Sequence, residues 1–346
     1  MNEQMKTARM VESLSKGISH VYGQHRTVKL LERKPFSGSS SFTTERIRVL
    51  LDGGTWLDLF FKDLNPDGLL HEAQLIRKAG MERSRREMLM YRNILAPLNL
   101  DTPILYGFRW EPTENLYWLF LENTGPKRLS RLGDFTLWVD AARWVARLHA
   151  IAPATIRAEA HFLPSYDSAH FAECGRRIEV ALGRFGKEHQ IIVSKALDRY
   201  YGLLDDLCSF PQHLIHGEYF GKNVMIRPEE SDKAIAVIDW ETAAFGPRCV
   251  DLASITAGRW TPEQRATMCR AYIEQYGIET GHRLELDVLA RELEQVALYR
   301  TLWWLGYWSK GDDVHINRWM KELTTVMSNT TTRAFGFIRR ETINGR

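Results

Sequence analysis

The chain has 346 residues, enough for two ordinary domains or one large two-lobed unit. Its 44% apolar and 26% charged residues fit a globular enzyme, and a formal net charge of only +3 supplies no global field for nucleic acid or an anionic membrane. The four cysteines, Cys174, Cys208, Cys249 and Cys269, show no CxxC spacing, which argues against a zinc site or disulfide framework and suits a reducing cytoplasm.

The N-terminus lacks a basic segment followed by an apolar run, so no secretory signal is expected. Nor does any stretch approach roughly eighteen consecutive apolar residues, so the expectation is a soluble, cytoplasmic protein without a membrane span. The spacing of Val11, Leu14, Ile18 and Val21 predicts an amphipathic first helix. Strand-like runs follow at 28–33, 46–51 and 56–62, with Asp52-Gly53-Gly54 as a hairpin signal between the second and third. A helix is predicted over 83–95, ended by Pro97, and two more strands over 104–110 and 116–121. Beyond about residue 125 the pattern turns helical, with predicted helices at 135–150, 168–184, 191–208, 262–276, 286–309 and 318–331. Only the stretch 214–240 breaks this, with short apolar runs at 224–226 and 236–238.

That break holds the most informative residues. His216-Gly217-Glu218-Tyr219-Phe220-Gly221-Lys222-Asn223 is followed by Val237-Ile238-Asp239-Trp240-Glu241, then Gly246-Pro247 and Asp251-Leu252-Ala253. Singly these are weak: an aspartate after an apolar run is usually a turn or cap residue. As an ordered set they resemble the catalytic loop and metal motif of aminoglycoside phosphotransferases, choline kinases and their relatives. The order of elements is similar over the whole chain, though only this central block is highly specific.

The resemblance implies an α+β, bilobal, protein-kinase-like fold. A small antiparallel β-sheet lobe with one main helix would span residues 1–122, and a larger, mostly helical lobe 123–346. It implies an ATP-dependent phosphotransferase that moves the γ-phosphate to a hydroxyl of a small molecule, with ATP and magnesium as cofactors. Phosphoryl transfer asks a protein for positioning and electrostatics, and magnesium for hard oxygen ligands. On that pattern Asp239 and Asn223 would hold the metal, Glu218 would face the acceptor hydroxyl as base, and Asp251 would anchor the loop. His216 reads as a structural residue that orients the loop backbone. The family usually has aspartate where this chain has Glu218, which opens a second reading as a catalytically weak or non-catalytic pseudokinase.

In the first lobe the resemblance asks for a lysine on the third strand and a glutamate on the next helix. Lys62 and Glu87 meet it; Glu72 and Glu82 compete, but Tyr91 and Ile94 lie on Glu87's helical face at i+4 and i+7. Arg83, Arg85, Arg86 and Arg92 read as the solvated side of that helix. Ser37-Gly38-Ser39-Ser40-Ser41-Phe42 stands where a phosphate loop belongs, with Ser39 and Ser40 as candidate nucleotide contacts, though by itself it reads equally as a hairpin turn. Glu122 and Thr124 would form the hinge, where backbone groups meet the adenine edge; ATP is the default there over GTP. For the acceptor, Glu173, Asp205, Asp206 and Glu241 are possible acidic contributors, without a long acidic run. Tyr299, Trp303 and Tyr307 share a helical face that suits either an apolar or sugar ligand or ordinary core. A sugar, antibiotic or hydroxylated metabolite is the expected partner, with no nucleic acid and no membrane. A protein kinase is disfavoured by the missing glycine loop and the absent Ala-Pro-Glu segment.

Overall fold

A computed structural model describes residues 3–36, 42–69, 81–98, 100–228, 234–258, 260–309 and 313–328. The chain divides into two compact units, Met1–Lys127 with Met225–Glu241, and Arg128–Val224 with Thr242–Arg346. The expected division fell at residue 122; in the structure the stretch that carries Asp239 belongs to the first unit.

The first unit opens with helix α1 (Glu3–Tyr22), followed by strands β1 (Val28–Pro35), β2 (Thr44–Leu51) and β3 (Trp56–Asp63). Helix α2 (Met81–Leu89) precedes β4 (Leu105–Glu111) and β5 (Leu116–Glu122). The five strands form one antiparallel sheet in the order β1-β2-β3-β5-β4. Leu59, Phe61, Trp118 and Phe120 join Met10, Leu14 and Ile18 of α1 in one core. The buried stripe of α1 is rotated from the expected one: Met10 is fully buried, whereas Val21 is 40% exposed. Strand alternation sends Lys62 to the opposite side from Phe61.

Pro97 does not end the second helix where expected. After Leu89 the backbone widens into a π turn over Met90–Leu95, and Ala96–Leu98 adds a last α-helical stretch. A proline ring clashes with the carbonyl four residues back in a regular helix, and the wider turn relieves that clash.

The second unit is mostly helical: α3 (Phe135–Ala150), α4 (Ser168–Ala181), α5 (Lys187–Tyr201), α6 (Cys249–Ile255), α7 (Pro262–Thr280), α8 (Leu286–Trp308) and α9 (Asp313–Ser328). The predicted helix 191–208 is two helices, because α5 stops at Gly202 and a short one resumes at Leu204–Ser209. Helix α7 carries a full capping box at Thr261 and Gln264, and Gly281 ends it at φ 71°, a conformation suited to glycine. Two strands that the residue pattern did not reveal, Gln212–Ile215 and Ala244–Pro247, pair antiparallel and flank the His-Gly-Glu loop. No helix among the described residues is long and apolar enough to cross a membrane.

Candidate active site

In the first unit, β3 and α2 are the supports. Lys62 is 8% exposed, and its Nζ donates to both carboxylate oxygens of Glu87, at 2.8 and 2.7 Å. The same nitrogen donates to Asp239 Oδ1 at 2.8 Å. A lone buried ammonium would be driven toward neutrality, but the Asp239 and Glu87 carboxylates outweigh that desolvation and hold its pKa above the usual lysine value. Burial pushes Glu87 up to about 7, against the pull of Lys62; the neighbouring Asp239 and Glu241 carboxylates add to the rise. The Lys62 ammonium also lies 5.4 Å from the centre of the Phe42 ring.

Asp239 has φ 72°, in the left-handed region that a non-glycine residue enters at a cost of roughly 1–2 kcal/mol. The turn is held by fully buried Trp240, whose indole N–H donates to the Val237 carbonyl at 3.1 Å. Glu241 is only 2% exposed, and one oxygen from each of Glu87, Asp239 and Glu241 falls within 4.8 Å of the others. Arg86 donates to the Glu241 carbonyl at 3.0 Å, and the Arg83 guanidinium stands 3.9 Å from its carboxylate. These two arginines are therefore not a solvated face: burial of Glu241 recruits them. Arg92 lies over the Phe108 ring at 5.1 Å. Glu241 was read as a possible acceptor-site acid; its place beside Glu87 and Asp239 makes it part of this carboxylate group. The signal was its position two residues after Asp239, across a tryptophan that fixes the turn. With both Glu87 oxygens on Lys62, the Asp239 carboxylate is the member of this group that suits magnesium, which takes hard oxygen donors.

At the end of β5, the Glu122 backbone N–H donates to Ile104 at 2.8 Å. Its carboxylate accepts from the Ile104 N–H at 3.1 Å and from both terminal nitrogens of Arg227. That side chain braces the strand end. Thr124, two residues on, is buried. Ser39, Ser40 and the competing Glu72 lie outside the described residues; Glu82 sits in the first turn of α2.

In the second unit, Asp251 is fully buried on α6 and holds the His216–Asn223 loop by its backbone. Its two oxygens accept from the His216 N–H at 2.6 Å and the Gly217 N–H at 2.8 Å. His149 Nε2 lies 3.2 Å from the same carboxylate, and its Nδ1 lies 2.9 Å from the Tyr272 hydroxyl. Burial lowers the His149 pKa, so the imidazole is neutral: Nε2–H donates to Asp251 and Nδ1 accepts from Tyr272. His216 Nδ1 accepts from the Glu218 N–H at 3.3 Å. Gly217 has φ 83°, and a Cβ there would meet the Thr242 carbonyl oxygen at 2.4 Å. Only glycine fits both constraints.

The loop then presents its functional groups. The Glu218 side chain is 13% exposed, with Lys222 Nζ 3.6 Å from its carboxylate. Asn223 donates through Nδ2 to the Glu218 carbonyl at 3.0 Å, which assigns Oδ1 as the acceptor end of the carboxamide. Tyr219 anchors the loop through its hydroxyl, which donates to the Ala141 carbonyl at 2.8 Å, and through a stack on Trp144.

A β-rich unit with a buried lysine–glutamate pair, and a helical unit whose His-Gly-Glu loop hangs on a buried aspartate, define a protein-kinase-like phosphotransferase. A profile of the phosphotransferase enzyme family matches residues 39–287, and the chain belongs to that family. Solved structures share the fold at low identity. Aminoglycoside 2'-phosphotransferase-IIIa, as its GDP complex, superposes with a TM-score of 0.58 at 13% identity, over 95% of this chain and 99% of that one. The GDP and kanamycin complex of APH(2")-IIia gives 0.57 at 14%, over 91% and 98%. An ethanolamine kinase of Plasmodium vivax gives 0.56 at 13%, over 86% and 82%. A search of curated protein sequences finds no match.

Proposed function

We propose that the protein transfers the γ-phosphate of ATP to a hydroxyl of a small molecule. The observation that carries this reading is the grip on Lys62, with Glu87 and Asp239 both within 2.8 Å of its ammonium. A buried cation fixed by two carboxylates is a pre-positioned partner for phosphate oxygens. In this reading Lys62 takes the α- and β-phosphates and Glu87 holds the lysine in place. By the family resemblance, Asp239 would offer a carboxylate oxygen and Asn223 a carboxamide oxygen to magnesium. When bound, the metal would neutralise phosphate charge. Glu218 takes the acceptor proton, and the backbone at Glu122 and Thr124 meets the nucleotide base. The nucleotide complexes among the solved neighbours support the nucleotide part of this proposal. No observation favours the non-catalytic alternative.

The test pairs nucleotide binding by calorimetry, with ATP and GTP side by side, with turnover over a panel of alcohols. Asp239→Asn keeps the shape but loses the anion, and turnover should vanish in a folded protein. Glu218→Gln should lower turnover by about 10²–10⁴, the usual worth of a general base, with nucleotide affinity nearly unchanged. Glu218→Asp should recover part of it. Near-normal turnover in either Asp239→Asn or Glu218→Gln would remove that residue's role.

A further inference from the structure

Beside Glu218 lies an aromatic wall that the phosphate chemistry does not use. Lys222 Nζ lies 3.6 Å from the Glu218 carboxylate and 5.8 Å from the centre of the Phe220 ring, so ring and carboxylate flank one ammonium. Phe220 meets Trp304 of α8 edge to face at 5.6 Å. Trp304 contacts Tyr307 at 5.2 Å, and Tyr307 contacts Trp308 at 5.6 Å. Behind them Trp304 stacks on Trp319 of α9, at 5.8 Å and 11°.

This arrangement separates the two roles left open for the α8 aromatics. Tyr299, 2% exposed, is core: it packs on Phe171 at 5.1 Å and bonds His170 at 2.7 Å. Tyr307 does not continue that face but joins Trp304 and Trp308. Trp304 and Trp319 are 7% and 6% exposed and form a rigid base, whereas Phe220, Tyr307 and Trp308 are only half-buried. Trp308 is itself covered by His315, stacked at 3.9 Å, so the accessible part of the wall is Phe220 and Tyr307 over buried Trp304, half-buried rings beside a carboxylate that suit a bound ligand.

Charge narrows what could lie on it. Lys222 approaches Phe220, and the Arg300 and Arg318 guanidinium groups each lie 5.5 Å from the Trp319 ring. Two of the described acids already face cations, Glu218 with Lys222 and Glu322 with Arg300 at 3.0 Å. A polyamine or quaternary ammonium would meet like charge here.

We propose that the acceptor is an uncharged alcohol on an extended apolar or aromatic framework, seated on the Phe220–Trp304–Tyr307 wall. This rests on the phosphotransferase reading, since it takes Glu218 as the group that meets the reacting hydroxyl.

The experiment titrates the full chain by calorimetry with 2-naphthyl β-D-glucoside, methyl β-D-glucoside, choline and kanamycin, then offers each with magnesium-ATP. The naphthyl glucoside should bind about tenfold or more tighter than the methyl glucoside. Phe220→Ala and Tyr307→Ala should each erase most of that preference, and Phe220→Tyr should keep it while showing that the loop still folds. Tightest binding of kanamycin or choline overturns the proposal, as does a naphthyl glucoside that fails to bind, or a preference indifferent to both alanine variants. Phe220-dependent binding without any nucleotide binding or phosphate transfer would sink the phosphotransferase reading while leaving the wall as a ligand site. Turnover of kanamycin alone would do the reverse.

Discussion

Lys62 shows how one residue type sets the chemistry around it. Without it, Glu87, Asp239 and Glu241 would hold three carboxylate oxygens within 4.8 Å of one another in a largely buried site. Removing one partner of a buried pair leaves an uncompensated charge and costs on the order of 3–5 kcal/mol. Lys62→Ala should therefore lower both catalytic efficiency and urea stability, and Lys62→Ala with Glu87→Gln should recover part of the stability. In the kinetic cycle, Lys62→Ala and Glu87→Ala should be less than additive, with a coupling of roughly 0.5–3 kcal/mol. Fully additive losses in catalytic efficiency would mean that the contact does not operate in the working enzyme. The pair was legible because the family resemblance asks for a lysine on the third strand and a glutamate on the next helix, and the helical spacing of Tyr91 and Ile94 then favoured Glu87 over its neighbours. Glu241 was not read as part of this group, because its one signal, a place two residues after Asp239 across a tryptophan, does not by itself tell an acid on the surface from one turned inward.

At the scale of elements, α1 illustrates why a hydrophobic stripe alone does not set a helix's rotation. A Cβ on Gly17 would lie 2.1 Å from the Tyr106 carbonyl oxygen and 2.7 Å from the Gly107 Cα, so the helix meets β4 backbone to backbone. That close approach turns Met10, Leu14 and Ile18 inward and leaves Val21 exposed. An exposed helical Gly→Ala change stabilises by about 1 kcal/mol, but here overpacking should win and Gly17→Ala should destabilise by roughly 1–3 kcal/mol. Urea midpoints decide it; a rise in stability would mean that α1 sits further from the sheet. The five strands of the first unit were legible as short strand-like runs separated by turn residues, the last of them, Leu116–Glu122, a run apolar through Leu121 and buried on both faces. Gln212–Ile215 and Ala244–Pro247 were not, since four-residue strands owe their existence to a partner about thirty positions away rather than to their own pattern. The His216–Asn223 loop was legible for the opposite reason: its residue types are dictated by chemistry and backbone geometry, not by periodicity.

At the scale of the whole molecule, the second unit stores histidines in places where a proton is unwelcome. Burial lowers His149, and pushes His170 down to about 4 and His213 down to about 3. His213 shows the cause most clearly. Its neutral ring donates Nδ1–H to the His149 carbonyl at 2.9 Å, and Nε2 finds no hydrogen-bond partner among the described residues. Burial itself disfavours the charge, a proton there would add a buried N–H with no acceptor among the described residues, and the Arg248 guanidinium adds repulsion. Because these folded pKa values lie below the unfolded value of about 6.5, the unfolded chain takes up protons first. Stability is therefore fully present above pH 6.5 and declines as pH falls from there toward 3–4, by up to about 1.4 kcal/mol per pH unit for each such histidine. Urea unfolding at pH 7.5, 6 and 5 should show a falling midpoint, although Glu87, held at about 7 in the folded protein, takes its proton in the folded state first and offsets roughly one histidine over this range. His213→Asn, whose amide can still donate to His149, should reduce the dependence by close to one proton. A wild-type midpoint that stays flat or rises on acidification would mean that these rings are charged in the folded protein, and the neutral His149 that donates to Asp251 beneath the His216–Asn223 loop would have to be abandoned with them.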